Sequence, residues 1–356
     1  MKQLKFLIFI LIAITIFHCY SISTDCDNDN GDDDNNEIIE NNGDIIWEPA
    51  GNLPYSDLPP WRPWLITIAN NGNIWAYNYN YHPELYLSTN NGDTWVMKGN
   101  IPMRELSSDG QNLQVNQTNG HLFFSGEYFR LLRSTDDGKN WENIMDSVVI
   151  GGFLITASDE IYVGAIKKSF EEREVCVCYY SNDNGNTWME KSKGLPYLLC
   201  PSALEKDGTL YATSINGVYH STDGGNTWLP SSNYNLYISS LTICDDGSIL
   251  AMSQDVGILK STDKGVSWSK VNTDSPIIKG TIIIYNTITK DIFVNNIIGT
   301  LHSAKIYRSP NLGKDWVLEN MGLPNKEGDY LTVNPKTGQM FIGMSSGVYR
   351  TKNYPK

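Results

Sequence analysis

Short apolar runs alternate with short polar turns along the chain from about residue 45 to its end. In a typical unit a turn at Asp246–Ser248 precedes an apolar strand, Gly257 opens a second strand, and Ser261 opens another turn. Alternation with a period of two, bounded by Gly, Asn and Asp, is typical of β-strands joined in hairpins. The pattern predicts an all-β fold of short antiparallel strands, four in each unit, with no helix after the apolar N-terminal segment.

One eight-residue turn recurs six times, and we call it the repeat turn. Its consensus is Ser-x-Asp-x-Gly-x-Thr-Trp, and its copies span residues 88–95, 134–141, 181–188, 221–228, 261–268 and 309–316. The opening serines are 46, 47, 40, 40 and 48 residues apart. This period, with four strands in each unit, is typical of the blades of a β-propeller.

The consensus residues of the repeat turn suit a structural role. The third-position Asp or Asn can accept hydrogen bonds from N–H groups ahead of it, and the fifth-position Gly adopts φ > 0. The Trp is large enough to pack between neighbouring units, with its N–H held by the turn. We therefore assign to the scaffold Asn90, Asp136, Asp183, Asp223, Asp263 and Asn311, together with Trp47, Trp95, Trp141, Trp188, Trp228, Trp268 and Trp316.

The two ends of the chain set the blade count. Residues 337–351 repeat the inner part of a unit, but no further Trp follows them. Residues 45–54 match the stretches from Trp188 to Pro196 and from Trp316 to Pro324. We therefore predict one seven-bladed propeller of four-stranded antiparallel blades over residues 45–356, closed by an N-terminal strand that joins the C-terminal blade and removes exposed edges. A six-bladed ring with a decorated edge is the alternative.

The first 23 residues are typical of an export signal. Lys2 and Lys5 precede an apolar run, residues 6–17, that is too short to span a bilayer. Two routes stay open: a lipobox that ends at Cys19, with lipidation of that cysteine, or ordinary cleavage after Ser23. We expect an exported protein, either an outer-membrane or cell-surface lipoprotein, or a periplasmic or secreted one. Apart from such a lipid anchor, no membrane contact is expected.

Residues 24–44 form an acidic segment of Asp, Asn, Glu and Gly that cannot bury apolar surface and is expected to be a disordered tether. Polar residues from Asn28 to Glu37 fall at the ligand offsets of a calcium-binding EF-hand loop. However, Cys26 occupies the place of the first Asp, and no amphipathic helix flanks the loop. We predict no metal and no cofactor.

Charge and cysteine content exclude further classes. The net charge is −13, and the tether holds a large share of the excess carboxylates. Because no basic stripe is present, we expect no nucleic-acid partner. Cys176, Cys178, Cys200 and Cys244 lack metal-ligand spacing and are interpreted as small buried side chains, with their disulfide state left open.

The repeat turns resemble the Asp-box, or bacterial neuraminidase repeat, and the resemblance covers Ile45 to Thr351. It implies a propeller, but it implies no single activity, because the motif occurs in sialidases, xyloglucanases, sortilin-type receptors and photosystem II assembly factors. In those families the motif lies on an outer hairpin, away from the ligand-binding face. The acidic tether after Cys19 resembles surface lipoproteins of Bacteroidetes-like bacteria.

The candidate ligand-binding residues are aromatic and basic side chains on the loops of the first two units. They are Trp61, Arg62, Trp64, Tyr79, Tyr81, His82 and Arg130. Aromatic faces on rigid loops with nearby charges suit stacking on sugar rings or anchoring of a protein partner. The alternative is that Trp61 and Trp64 fill the gap where the ring closes.

Catalysis requires more than these loops supply. The resemblance to sialidases implies three arginines, a tyrosine nucleophile paired with a glutamate, and an acid/base aspartate; Trp61-Arg62-Pro63 only echoes the usual Phe-Arg-Ile-Pro. The resemblance to xyloglucanases implies a cleft between two propellers, and this chain supplies one. Glu84 and Glu127 are candidate general acids or bases. The sequence favours a monomeric, non-catalytic propeller that binds a glycan or an envelope protein. A glycoside hydrolase with an unrecognised carboxylate pair and an assembly factor are the alternatives.

Overall fold

A computed structural model describes residues 44–54, 63–78, 83–102, 112–127, 130–146, 148–168, 174–195, 199–204, 208–214, 216–231, 236–253, 255–271, 280–298, 303–324 and 328–355. These residues form 28 strands in seven four-stranded antiparallel sheets, and none of them is helical. The prediction of a seven-bladed propeller is therefore confirmed. Within the described part of the chain, no helical segment has the length and apolarity needed to cross a bilayer.

The first three blades follow in sequence order. Blade 1 contains β2 (Leu65–Ile68), β3 (Ile74–Asn78), β4 (Glu84–Ser88) and β5 (Val96–Asn100). Blade 2 contains β6 (Asn112–Val115), β7 (Leu122–Glu127), β8 (Arg130–Ser134) and β9 (Glu142–Asp146). Blade 3 contains β10 (Val149–Ile155), β11 (Ile161–Lys168), β12 (Glu174–Ser181) and β13 (Met189–Glu190).

The next three blades have outer strands of only two residues. Blade 4 contains β14 (Leu199–Leu204), β15 (Leu210–Ser214), β16 (Gly217–Ser221) and β17 (Leu229–Pro230). Blade 5 contains β18 (Ile238–Ile243), β19 (Ile249–Ser253), β20 (Gly257–Ser261) and β21 (Ser269–Lys270). Blade 6 contains β22 (Gly280–Tyr285), β23 (Ile292–Ile298), β24 (Ser303–Ser309) and β25 (Val317–Leu318).

Blade 7 joins the two ends of the chain. It contains β26 (Gly328–Val333), β27 (Met340–Met344) and β28 (Gly347–Thr351) with β1 (Trp47–Pro49) as its fourth strand. β1 pairs antiparallel to β28, with Trp47 opposite Thr351 and Pro49 opposite Tyr349. The N-terminal strand therefore closes the ring as the match around Trp47 predicts.

The first strand of every blade lies at the centre and contacts the first strands of both neighbouring blades. Such inner strands leave backbone groups without a strand partner, and side chains from the preceding blade satisfy several of them. Gln114 donates to the carbonyl of Phe153 over 2.6 Å and accepts from the N–H of Ile155 over 3.3 Å. Thr242 accepts from the N–H of Tyr285 over 3.2 Å. These bonds cover the exposed inner edges of the sheets.

The apolar core is distributed between the blades rather than gathered at one centre. The sheet faces of blades 1 and 2 bury Tyr77 and Phe124, whose rings meet edge to face with centroids 5.0 Å apart. Similar clusters lie between the other neighbouring blades, and each buried Phe or Leu side chain stabilises the fold by roughly 1.5–3 kcal/mol. Each blade therefore buries apolar side chains against both of its neighbours.

The repeat turn is held by hydrogen bonds among its own residues. In the third copy the Ser181 hydroxyl donates to Asp183 over 2.8 Å and accepts from the N–H of Gly185 over 2.9 Å. Asp183 also accepts from the N–H of Thr187 over 2.9 Å and from its hydroxyl over 2.6 Å. The fourth residue, Asn184, has a φ of 64°. The bonds fix the chain reversal and leave the carbonyl at this fourth position available.

That fourth-position carbonyl receives a hydrogen bond from the preceding blade in four copies, and we call each of these bonds a latch. The donor and acceptor pairs are Arg350 Nη1 to Asn91 O at 2.6 Å, Arg133 Nη1 to Asn184 O at 2.5 Å, Lys191 Nζ to Gly224 O at 2.6 Å and the Tyr211 hydroxyl to Lys264 O at 3.3 Å. The repeat turn therefore bonds between blades as well as within its own blade.

The indoles of the repeat also bond to backbone carbonyls. Trp188 Nε1 donates to the carbonyl of Ile144 in blade 2 over 3.0 Å, and Trp95 Nε1 donates to Ala50 over 2.7 Å. Trp141 and Trp316 instead donate to the glycine of their own turn, each over 3.1 Å. The tryptophans therefore contribute both to packing between blades and to the turn itself.

The carboxylates of the repeat turns make the stability of the fold depend on pH in the acid range. A substitution at one of them can measure its contribution. Bonds from the Thr187 hydroxyl and N–H and from Ser181 lower the pKa of Asp183 to about 2. Because the folded pKa lies below the unfolded value, this stabilisation is present above about pH 4 and is lost as the pH falls toward 2. Asp183→Asn should remove the share of the loss that Asp183 causes, which thermal unfolding between pH 7 and pH 2 would measure.

The first repeat turn already has Asn at the position that Asp183 occupies in the third. In the first repeat turn Asn90 accepts from the N–H of Thr94 over 3.0 Å, and its Nδ2 donates to the Thr94 hydroxyl over 2.8 Å. Asp183→Asn should therefore keep the melting temperature at pH 7, whereas Asp183→Ala should lower it by a few degrees. Equal melting temperatures for the Asn and Ala variants at pH 7 would contradict this account.

Candidate functional site

The propeller has two faces with different contents. The hairpin face carries the links between blades and the hairpins between second and third strands, such as residues 78–84, 127–130 and 168–174. The turn face carries the repeat turns and the turns between first and second strands. Two of the sequence-predicted binding residues, Trp64 and Arg130, are described and lie at strand ends on the hairpin face. The others, Trp61, Arg62, Tyr79, Tyr81 and His82, lie outside the described residues, as does Cys19.

Trp64 lies in the seam between blades 1 and 7. Its side chain is 2% exposed and packs in a cluster with Ile66 and Phe341, and its ring centroid is 5.8 Å from that of Tyr86. Its carbonyl oxygen lies against Gly343, where an added Cβ would come within 1.7 Å. The indole therefore offers no face to a ligand, and the structure gives this residue the packing role that was its alternative.

Glu84, a candidate acid or base, is paired with a tyrosine at the first residue of β4. The Tyr86 hydroxyl donates to Glu84 Oε2 over 2.6 Å. Burial, followed by the hydrogen bond and the charge of Glu84, raises the pKa of Tyr86 above its ordinary value. Glu84 is half-buried and lies opposite Asn78 on β3. The arrangement supplies a carboxylate acceptor, oriented by a protonated tyrosine, at the rim of the hairpin face.

Glu127 and Arg130 belong to the corresponding hairpin of blade 2. They are opposite each other in the β7–β8 register, and Arg130 is also opposite Asp146 on β9. The Arg130 side chain is half-buried, and that of Glu127 is outside the described part. Glu84 and Glu127 therefore lie at the hairpin ends of adjacent blades.

A set of buried polar side chains, which we call the polar collar, occupies the hairpin ends of the second strands in five blades. Its members are Asn78, Ser125, Thr213, Ser214, Ser253, Asn295 and Asn296, each less than a tenth exposed. Asn295 Nδ2 donates to the carbonyl of Gly328 over 2.6 Å and links blade 6 to blade 7. Asn296 Oδ1 is buried without a hydrogen-bond partner among the described residues. Burying a polar group costs free energy unless the group is hydrogen-bonded. The polar collar is therefore the boundary of the apolar core at the hairpin ends of the second strands.

Sequence reasoning did not single out this collar, although a signal for it was present. Polar residues such as Thr213 and Asn295 stand where the alternation of the second strand would continue with apolar ones. Two of the second strands are longer than the others, because β11 extends to Lys168 and β23 extends to Ile298. Lys167 on β11 forms an ion pair with Glu190. That hydrogen bond is the main cause that raises the pKa of Lys167 and lowers the pKa of Glu190.

Metal ligands and reactive thiols do not cluster in the part of the chain that the structure covers. No group of three or more His, Cys, Asp or Glu side chains there could hold a metal ion. Cys178 and Cys244 are buried free thiols. Burial raises the pKa of Cys178 to about 12 and also raises the pKa of Cys244. Since the thiolate is the reactive form, both residues act as small core side chains.

Comparison with known proteins agrees with the fold. Residues 153–320 match the family described as DUF6242 beta propeller domain. The chain is similar to the solved structure of YCF48 bound to D1 peptide, at 17% identity and a TM-score of 0.59 over 85% of this chain and 98% of that one. No curated protein matches the chain.

Two enzyme structures are similar to the same extent. A virginiamycin B lyase from Staphylococcus aureus with quinupristin has 14% identity and a TM-score of 0.61, over 85% of this chain and 99% of that one. The GH74 xyloglucanase from Xanthomonas campestris has 13% identity and a TM-score of 0.62, over 86% of this chain and 53% of that one. This chain thus spans about half of the xyloglucanase. At these identities the likeness shows the seven-bladed fold alone.

Proposed function

We propose that this protein is an exported propeller, held by its N-terminal segment, that binds a glycan or an envelope protein on its hairpin face without catalysis. The observation that carries the proposal is that the polar side chains of the two faces have different surroundings. On the turn face the polar side chains of the repeat turns bond to one another and to the next blade. On the hairpin face the described residues include the polar collar, and in the sequence Tyr79 and Tyr81 follow Asn78 of this collar while Trp61 precedes β2.

The chemistry of these segments favours recognition over reaction. Aromatic rings supply large contact areas at a small entropic cost, and neighbouring polar groups fix the orientation of a ligand. The solved YCF48 structure, which contains a bound peptide, supports the idea that a ring of this kind can hold a protein segment. Export through residues 1–23 and lipidation at Cys19 belong to the same proposal and rest on the sequence pattern.

Binding measurements with the purified full chain, on a glycan array and in pull-downs from envelope fractions, test the proposal. The double variant Trp61→Ala/Tyr79→Ala should weaken binding by about tenfold or more, the usual effect of removing an aromatic anchor. Val266→Ser is the matched control, because Val266 is 70% exposed on a repeat turn of the opposite face. Trp64→Ala is unsuitable, since it would open the core.

Two outcomes would overturn the proposal. Loss of binding in the Val266→Ser variant, with binding retained in the aromatic variant, would place the site on the turn face. Turnover of xyloglucan or a sialoside, abolished by Glu84→Gln or Glu127→Gln, would replace binding with glycoside hydrolysis. The second outcome deserves a direct screen because Glu84 is already oriented by Tyr86 at the hairpin rim.

A further inference from the structure

The direction of β1 fixes where the N-terminal segment meets the ring. β28 begins after the hairpin at residues 344–347 and ends at Thr351 on the turn face. Because β1 is antiparallel to β28, it begins at the turn face and runs toward the hairpin face. Residues 1–43 therefore join the propeller on the face opposite the polar collar.

The ladder around β1 is longer than the strand itself. The N–H of Ala50 donates to Val348 over 2.8 Å, and the N–H of Lys352 donates to Ile46 over 2.7 Å. The Asn353 side chain then continues the pairing, because its Oδ1 accepts from the N–H of Ile46 over 2.7 Å and its Nδ2 donates to the carbonyl of Asp44 over 2.5 Å. Bonds thus extend from Ala50 to the first described residue.

A partly buried ion cluster holds β1 on the side of blade 6. Glu319, whose side chain is 0% exposed, accepts from Arg308 Nε over 2.9 Å and from the N–H of Ile45 over 3.1 Å. Its backbone carbonyl accepts from Trp47 Nε1 over 2.7 Å. Arg308 also lies 3.5 Å from Asp291 and 3.7 Å from Asp44. We call Arg308, Glu319, Asp291 and Asp44 the seam cluster.

A second set of charges holds the other side of β1. Glu48 lies 3.1 Å from Arg350, which in turn lies 2.6 Å from Asp93 in the first repeat turn. β1 is therefore bonded to blade 6, to β28 and to blade 1 at the same time. Opposite charges on both sides resist sliding of the strand along its own axis.

We propose that β1 and the seam cluster act as a mechanical clamp that keeps the ring closed when the N-terminal segment is under tension. The proposal rests on the proposed function, in which residues 1–43 hold the propeller. A pull on residue 44 directed away from the hairpin face loads β1 parallel to its axis. All bonds from Asp44 to Ala50 must then break together, whereas peeling the strand from one end breaks them one at a time.

Single-molecule pulling on the full chain compares the two directions. In the first, handles are attached to the N-terminus and to a ligation tag inserted between Ser345 and Ser346 on the hairpin face. In the second, they are attached to the two termini, which emerge side by side at Asp44 and Asn353. At equal force the first geometry should survive longer.

Variants separate the cluster from the strand pairing. Arg308→Met should shorten the lifetime in the first geometry by about tenfold or more, because it leaves the buried Glu319 unpaired. Lys352→Met is the matched control, since Lys352 is 63% exposed and lies 3.8 Å from Glu48; it should leave the lifetime unchanged. Equal lifetimes in both geometries, or no effect of Arg308→Met, would overturn the clamp.

Failure of the anchor would look different. If the wild-type chain and a Cys19→Ser variant were equally soluble after cell fractionation, lipid anchoring would fail while the pulling result stood. A clamp that failed under load would leave the ligand-binding measurement untouched.

Discussion

Arg308→Met should lower the free energy of unfolding by about 3–5 kcal/mol, the usual cost of removing one partner from a buried ion pair. The Glu319 carboxyl group would lose its arginine partner in a site with no exposed surface, and the N–H of Ile45 would be its remaining donor. Burial alone would lower the pKa of Arg308, but its bonds to Glu319 and Asp291 outweigh burial and raise it. Urea unfolding at pH 7 would measure the loss.

Two further variants make this prediction specific. Lys352→Met removes a comparable side chain from an exposed pair and should cost less than about 1 kcal/mol. Arg308→Met combined with Glu319→Leu should recover much of the loss, because an apolar pair requires no burial of charge. A double variant as unstable as Arg308→Met alone would show that lost packing, rather than unpaired charge, causes the effect.

Gly194→Ala should destabilise the protein by roughly 2–5 kcal/mol, the sum of left-handed backbone strain and overpacking. Gly194 has a φ of +87°, and an added Cβ would lie 2.2 Å from the carbonyl oxygen of Trp228. The contact cannot relax easily, since the N–H of Trp228 donates to Lys193 over 2.9 Å. Thermal and urea unfolding would report the change.

Gly208→Ala separates the two causes. Gly208 has the same φ of +87°, but no atom lies within 4 Å of its added Cβ. It should therefore show the strain alone, about 1–2 kcal/mol. Equal losses at both glycines would mean that the segment around Gly194 can move away from Trp228 at little cost. The short distance between these two backbone segments would then not be required for stability.

Much of the fold could be predicted because it depends on local rules that repeat. A Ser, an Asp and a Gly at fixed spacing determine the chain reversal with bonds inside eight residues, and the period of the turns determines the blades. Trp47 is not preceded by a repeat turn, and this identified its segment as the strand that closes the ring. The Gly-Leu-Pro stretch at Gly194 recurs at Gly322, because at both positions only glycine fits against the backbone of the Trp of the next blade.

Contacts between residues far apart in the sequence could not be predicted in the same way. Trp64 reads as an exposed loop aromatic because prolines and another Trp directly precede it, but residues nearly 280 positions later bury it. Arg308 and Glu319 are eleven residues apart, and their role depends on Ile45 and Asp44 at the other end of the chain. Periodicity carries no information about such pairs.

The latches have a consequence for the order of the blades. Blades with identical contacts could pair with any neighbour. Here the same carbonyl position is met by an arginine in two seams, by a lysine in a third and by a tyrosine in a fourth. The donors therefore distinguish some seams from others, while the two arginine seams share one contact. Contacts between blades, as well as chain connectivity, thus restrict which blades can be neighbours.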